Sequence, residues 1–375
     1  MRCIQTTIPC PLKRKIKTAL NVLSLVLTVC CWNLTAAAQC RVEETDYRGW
    51  DALKMSNELV QLFIVPEIGG RIIQFVFEGH AYLFVNESLA GRVLPYKEGE
   101  WNNYGGDKLW PAPQGWDGPH QWPGPGDPAL DGGRFTYKIL QARGNSASVR
   151  LISPPDREKT GLRFTRVISL KAGEPQVFFE NTMTNVSDRN VSWSIWSVTQ
   201  VDAADSGGEG YNDRLDFYCA LNSHSIFPKK YAILYGLVNN FAWMPDYKNN
   251  VFRGSYNYIV GKAGIDSPRG WLASVDGKTG HVLVQRYDYC PGEKYPDDCS
   301  VEFWINGAGS YIAGKTLIQN PPDPQKTPYY FEMEIFSPFV TLRPGQSYTF
   351  RTEWKAMKGG LAELMAEVGL KARRP

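Results

Sequence analysis

The sequence predicts an all-β protein, a large antiparallel β-sandwich finished by one short C-terminal helix, and three observations carry that expectation. Apolar and polar residues alternate in short runs through 135–201 and again through 256–354, the period-two pattern of half-buried strands. Clusters of Pro, Gly, Asn and Asp punctuate the runs, and only 361–371 reads as a helix. No blade-length repeat is visible, which removes a propeller, and no shift of composition marks a linker. A large sandwich, rather than a jelly roll, is therefore expected.

Residues 1–38 read as a signal peptide. Arg2, Lys13, Arg14, Lys15 and Lys17 form a basic start, 19–29 an apolar stretch, and Ala36, Ala37 and Ala38 a small-residue cleavage site. Gln39 stands where a lipid-attachment signal needs a small residue, so ordinary cleavage and a periplasmic or secreted location are expected rather than lipidation at Cys40. No later run is apolar enough for a membrane span. Removing the leader takes away five positive charges and no negative ones, so the net +3 becomes 3 − 5 = −2. Without a Lys/Arg cluster, neither nucleic acid nor an anionic membrane is an expected partner.

Four cysteines remain after the leader: Cys40, Cys219, Cys290 and Cys299. In an oxidising compartment such residues read as structural bridges. Cys290 and Cys299 bracket a turn segment and are expected to pair, which leaves Cys40 for Cys219.

Taken in order, 58–66 and 71–77 read as strands joined by Gly69 and Gly70, and 81–85 as a third short apolar piece. The stretch 99–133 has no periodicity and carries Trp101, Trp110, Trp116 and Trp122. Strands resume at 135–141, 146–153, 162–170, 176–185 and 191–201, a meander. After an irregular zone at 202–250 they return at 256–260, 270–275, 282–287, 300–305, 329–335 and 347–354. The expected organisation is one β-domain over 39–356, then a helix and tail over 357–375.

Residues 101–114, WNNYGGDKLWPAPQ, look too irregular for a core strand and read as a shaped binding loop. Gly105 and Gly106 permit positive φ and close backbone approach, and Pro111 and Pro113 stiffen the chain around Trp101, Tyr104 and Trp110. Rigid aromatic faces beside amides and charges suit a sugar ring; the same composition also suits a loop that merely covers one end of a core.

Residues 309–316, GSYIAGKT, match the phosphate-loop spacing, but prolines follow within a few residues where that motif opens a helix. Nucleotide binding is not expected. His80, His120, His224 and His281 have no metal-ligand spacing, and no nucleophile elbow occurs. No metal or cofactor is expected; the sequence neither indicates calcium nor excludes it. His120 lies in the Trp-rich loop, where it serves either a ligand or nothing. On the strand YYFEMEIF, Glu332 and Glu334 share one face with Tyr330 and Phe336, opposite Phe331, Met333 and Ile335. A carboxylate among aromatics can be shifted into the range useful for proton transfer; a solvated strand face is the plainer alternative.

The stretches at 65–87, 102–114 and 332–354 resemble a family of exported bacterial proteins of unknown function (DUF4380-like), itself remotely similar to the galactose mutarotase-like, or aldose 1-epimerase, superfamily. The resemblance implies a β-supersandwich with a concave carbohydrate-binding face. It also implies a general-base role for Glu334, because Met333-Glu334 and the turn 342–346 are similar to the late-strand motif of the epimerases. Glu332 is its neighbour. The epimerases' acid is a histidine on a central strand, and the corresponding stretch here, 194–200, holds Trp196 and no histidine.

The expected function is saccharide binding in a Trp-rich cleft, with an epimerase variant or related sugar-processing activity. Non-catalytic binding and a polysaccharide lyase are the alternatives. The catalytic candidates are Glu334, Glu332, Lys108 and Asp107. The binding candidates are Arg71, Asn103, Tyr104, Trp110, Gln114, Trp116, His120, Trp122 and Trp196. The sugar and the oligomeric state stay open.

Overall fold

The structure is a computed structural model that describes residues 39–97, 100–118 and 120–370. The expected signal peptide lies outside the described residues.

The chain begins with β1 (Cys40–Tyr47), β2 (Trp50–Ser56), β3 (Val60–Val65), β4 (Arg71–Phe77), β5 (His80–Ala81) and β6 (Asp107–Ala112). The meander supplies β7 (Thr136–Gln141), β8 (Arg143–Gly144), β9 (Ser146–Ile152), β10 (Leu162–Lys171), β11 (Gln176–Asn185) and β12 (Val191–Asp202). Next come β13 (Leu215–Ala220), β14 (Ala232–Gly236), β15 (Val251–Ser255), β16 (Gly261–Ile265), β17 (Trp271–Asp276) and β18 (His281–Tyr287). The last are β19 (Val301–Asn306), β20 (Gly309–Ala313), β21 (Thr316–Asn320), β22 (Tyr330–Phe336), β23 (Val340–Leu342) and β24 (Ser347–Lys358), followed by α1 (Leu361–Glu367).

These strands make two large sheets and a separate hairpin. The larger sheet runs β14-β16-β19-β22-β12-β6-β4-β3-β2-β1-β8, and the second runs β15-β13-β17-β18-β24-β11-β10-β9-β7. Named pairings are antiparallel throughout. The meander reading holds for β7, β9, β10 and β11, after which the chain crosses over: β11 pairs with β24, whereas β12 enters the larger sheet between β22 and β6.

The core lies where the inward faces of the two sheets meet. Phe217 of β13 stacks on Phe331 of β22 at 4.9 Å and meets Phe303 of β19 at 4.7 Å. Toward the other end, Trp354 of β24 sits 5.6 Å from Phe75 of β4 and 5.0 Å from Phe179 of β11. Each such aromatic pair adds about 0.5 to 1.5 kcal/mol beyond its burial. On β10 the burial pattern alternates residue by residue, the signature of one face in the core and one toward solvent.

The strand β6 corrects the expectation that 101–114 is all loop. It is a central strand, paired with β12 from Ser194 with Ala112 to Thr199 with Asp107. All six of its residues are buried, so neither face faces water and no alternation marks it. On its other side it touches β4 only at Asp107 opposite Ile72, so Pro111 costs no ladder bond there. Upstream the glycine reading holds: at Gly105 (φ 95°) an added Cβ would lie 2.1 Å from the Phe84 carbonyl oxygen. Strands β1, β2, β13 and β14 were likewise hidden in stretches read as a lead-in or as irregular, and in place of the strand expected at 256–260 the chain forms β15 before it and β16 after it.

The phosphate-loop look-alike is the hairpin β20–β21, with Ala313 opposite Thr316 at its turn. Helix α1 stops short of the expected 371 end, because Gly369 adopts φ 70°. Leu364 and Met365 bury it against a cluster containing Trp271 and Val284, and Glu367 ties it to Arg286 and Lys355 at 2.8 and 2.7 Å.

The expected disulfides are absent. Cys40, Cys219, Cys290 and Cys299 are all unpaired. A tight turn with left-handed Asp297 and Asp298 carries Cys299 inward, where its thiol donates to the Asp297 carbonyl at 3.2 Å and packs behind Gly264. Cys290 stays half-buried on the preceding loop, its sulfur toward the Asp288 carbonyl. Cys40 and Cys219 belong to separate core clusters.

Candidate functional site

On β22 the alternation puts Phe331, Met333 and Ile335 into the inter-sheet core and turns Tyr330, Glu332 and Glu334 to the outer face of the larger sheet. The neighbouring strands follow in register: Gln200 of β12 lies opposite Glu332, which lies opposite Trp304 of β19, which lies opposite Lys262 of β16. One row further along, Val198, Glu334, Glu302 and Gly264 line up in the same way. The segments 81–88, 101–106 and 113–116, the hairpin β20–β21 and the segment 324–330 rise around this face. They enclose a cleft of about 870 Å³, within the usual range for a small-ligand site.

Aromatic side chains dominate its walls: Trp101, Trp110, Trp196 and Trp304 with Tyr235, Tyr311 and Tyr330. Trp110 is fixed edge-on to Trp196 at 5.1 Å and to Trp101 at 6.0 Å. Trp304 meets Tyr311 at 4.9 Å and Tyr235 at 6.1 Å, both edge-on. At the rim Trp116 is exposed and rests against Gly314 at the tip of the β20–β21 hairpin.

Polar groups gather on the floor. Glu332 lines the cleft, and its Oε1 accepts from Gln200 Nε2 at 2.8 Å and from Lys108 Nζ at 3.5 Å. Lys108 lies just beneath, buried, with its ammonium 4.7 Å from the Trp110 ring centre and 5.5 Å from that of Trp101. Burial pulls its pKa down to about 8, against the upward pull of Glu332. Lys262 also lines the cleft, over the face of Trp196 at 4.9 Å, and donates to Glu334 Oε2 at 2.9 Å while pairing with Glu302 Oε2 at 2.6 Å. Burial alone would depress the Lys262 pKa; the two carboxylates reverse that and hold it raised, as an ammonium.

Glu302 and Glu334 are both closed off from water, with one ammonium between two carboxylates. Burial pushes Glu302 up to about 8 and Glu334 up to about 6; Lys262 opposes both shifts, while Glu334 adds to that of Glu302 and Glu332 to that of Glu334. An acid whose pKa is higher folded than unfolded binds extra protons in the native state, so its contribution to stability is lost as the pH rises between the two values. Here that window runs from the ordinary 4.5 to about 8. Glu302→Gln removes this dependence. Across that window the variant should gain on the wild type in melting temperature as the pH rises. Thermal melts at a series of pH values check this; a difference that does not change with pH contradicts a raised Glu302 pKa.

Of the residues singled out in the sequence, the structure brings Glu332, Asn103, Trp110, Gln114, Trp116 and Trp196 to the cleft wall. Asn103 donates to the Tyr330 hydroxyl at 3.2 Å, and Gln114 packs over Gly124. Glu334 is on the expected face but lies under the floor, fully buried, accepting from the Trp196 indole at 2.7 Å. Asp107 points the other way, into the space between the sheets, where it pairs with Arg166 and accepts from Thr199 at 2.7 Å.

Arg71 and Tyr104 do not line the cleft. Arg71 is wholly buried and clamps the loop, donating to Asp131 at 2.6 Å, the Gly105 carbonyl at 3.2 Å and the Ile68 carbonyl at 3.0 Å. Asp131 in turn accepts from the Trp110 indole at 2.9 Å, so Arg71 positions the cleft wall from behind. The Tyr104 hydroxyl accepts from the Leu94 amide and its ring packs edge-on to Trp50. Trp122 is fully buried, donating to Asp127 at 3.0 Å, and His120 is exposed on the loop, away from the cleft wall.

Sequence reading missed Lys262, Glu302, Trp304, Tyr235 and Tyr311 as site residues. Alternation in VEFWIN, with Glu302 and Trp304 opposite Val301, Phe303 and Ile305, was the available signal for two of them.

Residues 51–357 match the family described as Domain of unknown function (DUF4380). The chain belongs to this family. A search of curated proteins returns no match. Solved structures similar to this DUF4380 protein share its fold. A galactose mutarotase-like protein from Clostridium acetobutylicum aligns with a TM-score of 0.52 at 12% identity, over 85% of this chain and 99% of that one. A protein from Klebsiella pneumoniae, named as a suspected aldose 1-epimerase, aligns with a TM-score of 0.54 at 11% identity, over 90% of this chain and 87% of that one. A TPR-domain containing protein from Parabacteroides distasonis aligns with a TM-score of 0.52 at 14% identity; 87% of this chain is covered, and the chain spans 50% of that protein. The fold is thus the galactose mutarotase-like β-supersandwich.

Proposed function

We propose that this DUF4380 protein is an exported carbohydrate-active protein that binds a saccharide in the aromatic cleft and moves a proton on it, with Glu332 as the base. The observation that carries the reading is the placement of one buried carboxylate, with an oxygen left over, on the floor of a cleft walled by Trp101, Trp110, Trp196 and Trp304. Indole faces cover the apolar faces of a sugar ring, while the floor supplies a proton acceptor in Glu332 and a fixed ammonium in Lys262. In this reading Glu332 takes the role that the resemblance gave to Glu334, and Glu334 holds Trp196 and Lys262 in position. Lys262, held charged, would stabilise negative charge developing on a sugar oxygen.

Non-catalytic saccharide binding is the second reading, favoured by the absence of a histidine from the central strand β12, where the epimerase motif carries its acid.

Trp304 is the informative residue to test, since it is only half-buried and its loss leaves the core intact. Calorimetric titration of mono- and oligosaccharides should find a binder whose affinity falls by about three- to tenfold in Trp304→Ala, the weight of one stacked ring. Unchanged affinity would remove the cleft from the account.

A further inference from the structure

The cleft runs across the strands of the larger sheet, and its length bears on the size of the saccharide it takes. Six neighbouring strands, β6-β12-β22-β19-β16-β14, each lend it a side chain: Trp110, Trp196, Glu332, Trp304, Lys262 and Tyr235. Strands in a sheet lie about 4.8 Å apart, so the five gaps between these six make a floor about 24 Å long at the backbone. A pyranose unit lengthens a sugar chain by roughly the width of one strand. A monosaccharide would therefore cover a fraction of the floor and leave the remaining apolar faces to water. The volume agrees, since 870 Å³ lies near the upper end of the range of about 300 to 1,000 Å³ that holds drug-sized ligands, and a single hexose is smaller than those.

The aromatic faces fall into two groups, with β22 and its Glu332 between them. Trp110 and Trp196, edge-on at 5.1 Å, stand on β6 and β12. Trp304 of β19 meets Tyr311 of the hairpin at 4.9 Å and Tyr235 of β14 at 6.1 Å. The second group has polar partners of its own in Asn306 of β19 and Asn320 of β21, both on the cleft wall. Their amide nitrogens are tied to the carbonyls of Pro328 and Gly307 at 2.7 and 3.1 Å, and their side-chain oxygens accept no hydrogen bond among the described residues. Each can take a sugar hydroxyl. Three gaps separate β22 from β14, room for about three units, and β14 is the edge strand, so the sheet sets no further limit on that side.

Given a saccharide in this cleft, we propose that it is an oligosaccharide lying across the strands, at least about three units long. One unit lies above Glu332 beside Trp110, and the others lie over Trp304 and Tyr235 toward the β14 edge.

The test is calorimetric titration of the full mature protein with cello-, malto-, manno-, galacto- and xylo-oligosaccharides, each series run from the monosaccharide to the pentasaccharide. In the series that binds, the trisaccharide should bind at least about tenfold tighter than its own monosaccharide, because each added ring on an aromatic face contributes about three- to tenfold. Tyr235 is half-buried on the edge strand, so its truncation spares the core. In Tyr235→Ala the gain from monosaccharide to pentasaccharide should shrink by about three- to tenfold. Affinity that does not rise with length in the wild type overturns this inference and leaves the saccharide reading standing, whatever the variant does. A gain that Tyr235→Ala leaves intact places the added units off this path and overturns the inference as well. No binding by any member of any series overturns both.

Discussion

Glu332→Gln should lower turnover of the protein's saccharide by on the order of 10² to 10⁴, the usual weight of a general base, because the amide keeps the shape of the side chain but cannot accept a proton. Gln200 and Lys108 hold Oε1 in place, so the floor should not collapse around the substitution. The measurement is the rate of anomer exchange of the bound sugar, followed by nuclear magnetic resonance, with the melting temperature as a control on folding. Glu334→Gln offers the comparison. It should disturb Trp196 and Lys262, and hence affinity, more than the proton-transfer step itself. If Glu334→Gln abolished exchange while Glu332→Gln left it at the wild-type rate, the roles would revert to those implied by the late-strand motif.

Arg71→Met should cost about 3 to 5 kcal/mol of stability, as breaking a buried ion pair by removing one partner does. Asp131 would be left as an uncompensated buried charge, and the carbonyls of Ile68 and Gly105 would lose their donor. Because Asp131 also accepts from Trp110, the wall of the cleft should loosen together with the fold. Thermal unfolding should show a loss on the order of 10 °C for a domain of this size. An unchanged melting temperature would mean that the clamp contributes nothing to stability.

The fold class was legible because four strands of the second sheet, β9, β10, β11 and β24, alternate in burial, with one face in the core. Among the strands that stayed hidden are two buried on both faces. Asp107–Ala112 reads as a loop because its Lys108 and Trp110 face a cleft lined with aromatics while Asp107 and Leu109 face the core, so polarity does not alternate along it. The same holds for Gly261–Ile265, all buried, where Lys262 is answered by two acids from strands distant in sequence. Periodicity reports the contrast between core and water, and an aromatic cleft over the strand erases that contrast.

The site was half legible for a related reason. Tryptophans in one loop announce an aromatic surface, but only tertiary contacts decide that Trp110 and Trp116 face the cleft while Trp122 fills the core beside Asp127. The face argument on β22 put Glu332 and Glu334 on the correct side of the sheet. Depth within that face, which makes Glu332 the floor and Glu334 its support, depends on Lys262 and Trp196 from neighbouring strands. The expected Cys290–Cys299 bridge failed because sequence proximity says nothing of direction, and the turn before Cys299 points it inward.

The central claim is that a saccharide occupies the aromatic cleft of the larger sheet. A crystal structure of the protein soaked with the tightest-binding sugar of the calorimetric panel tests this most directly. The account predicts a pyranose ring against Trp110 or Trp304, with a polar atom of the sugar within hydrogen-bonding distance of Glu332 Oε2. A sugar bound on another surface, with the cleft between Trp101 and Trp304 filled by water alone, would contradict it.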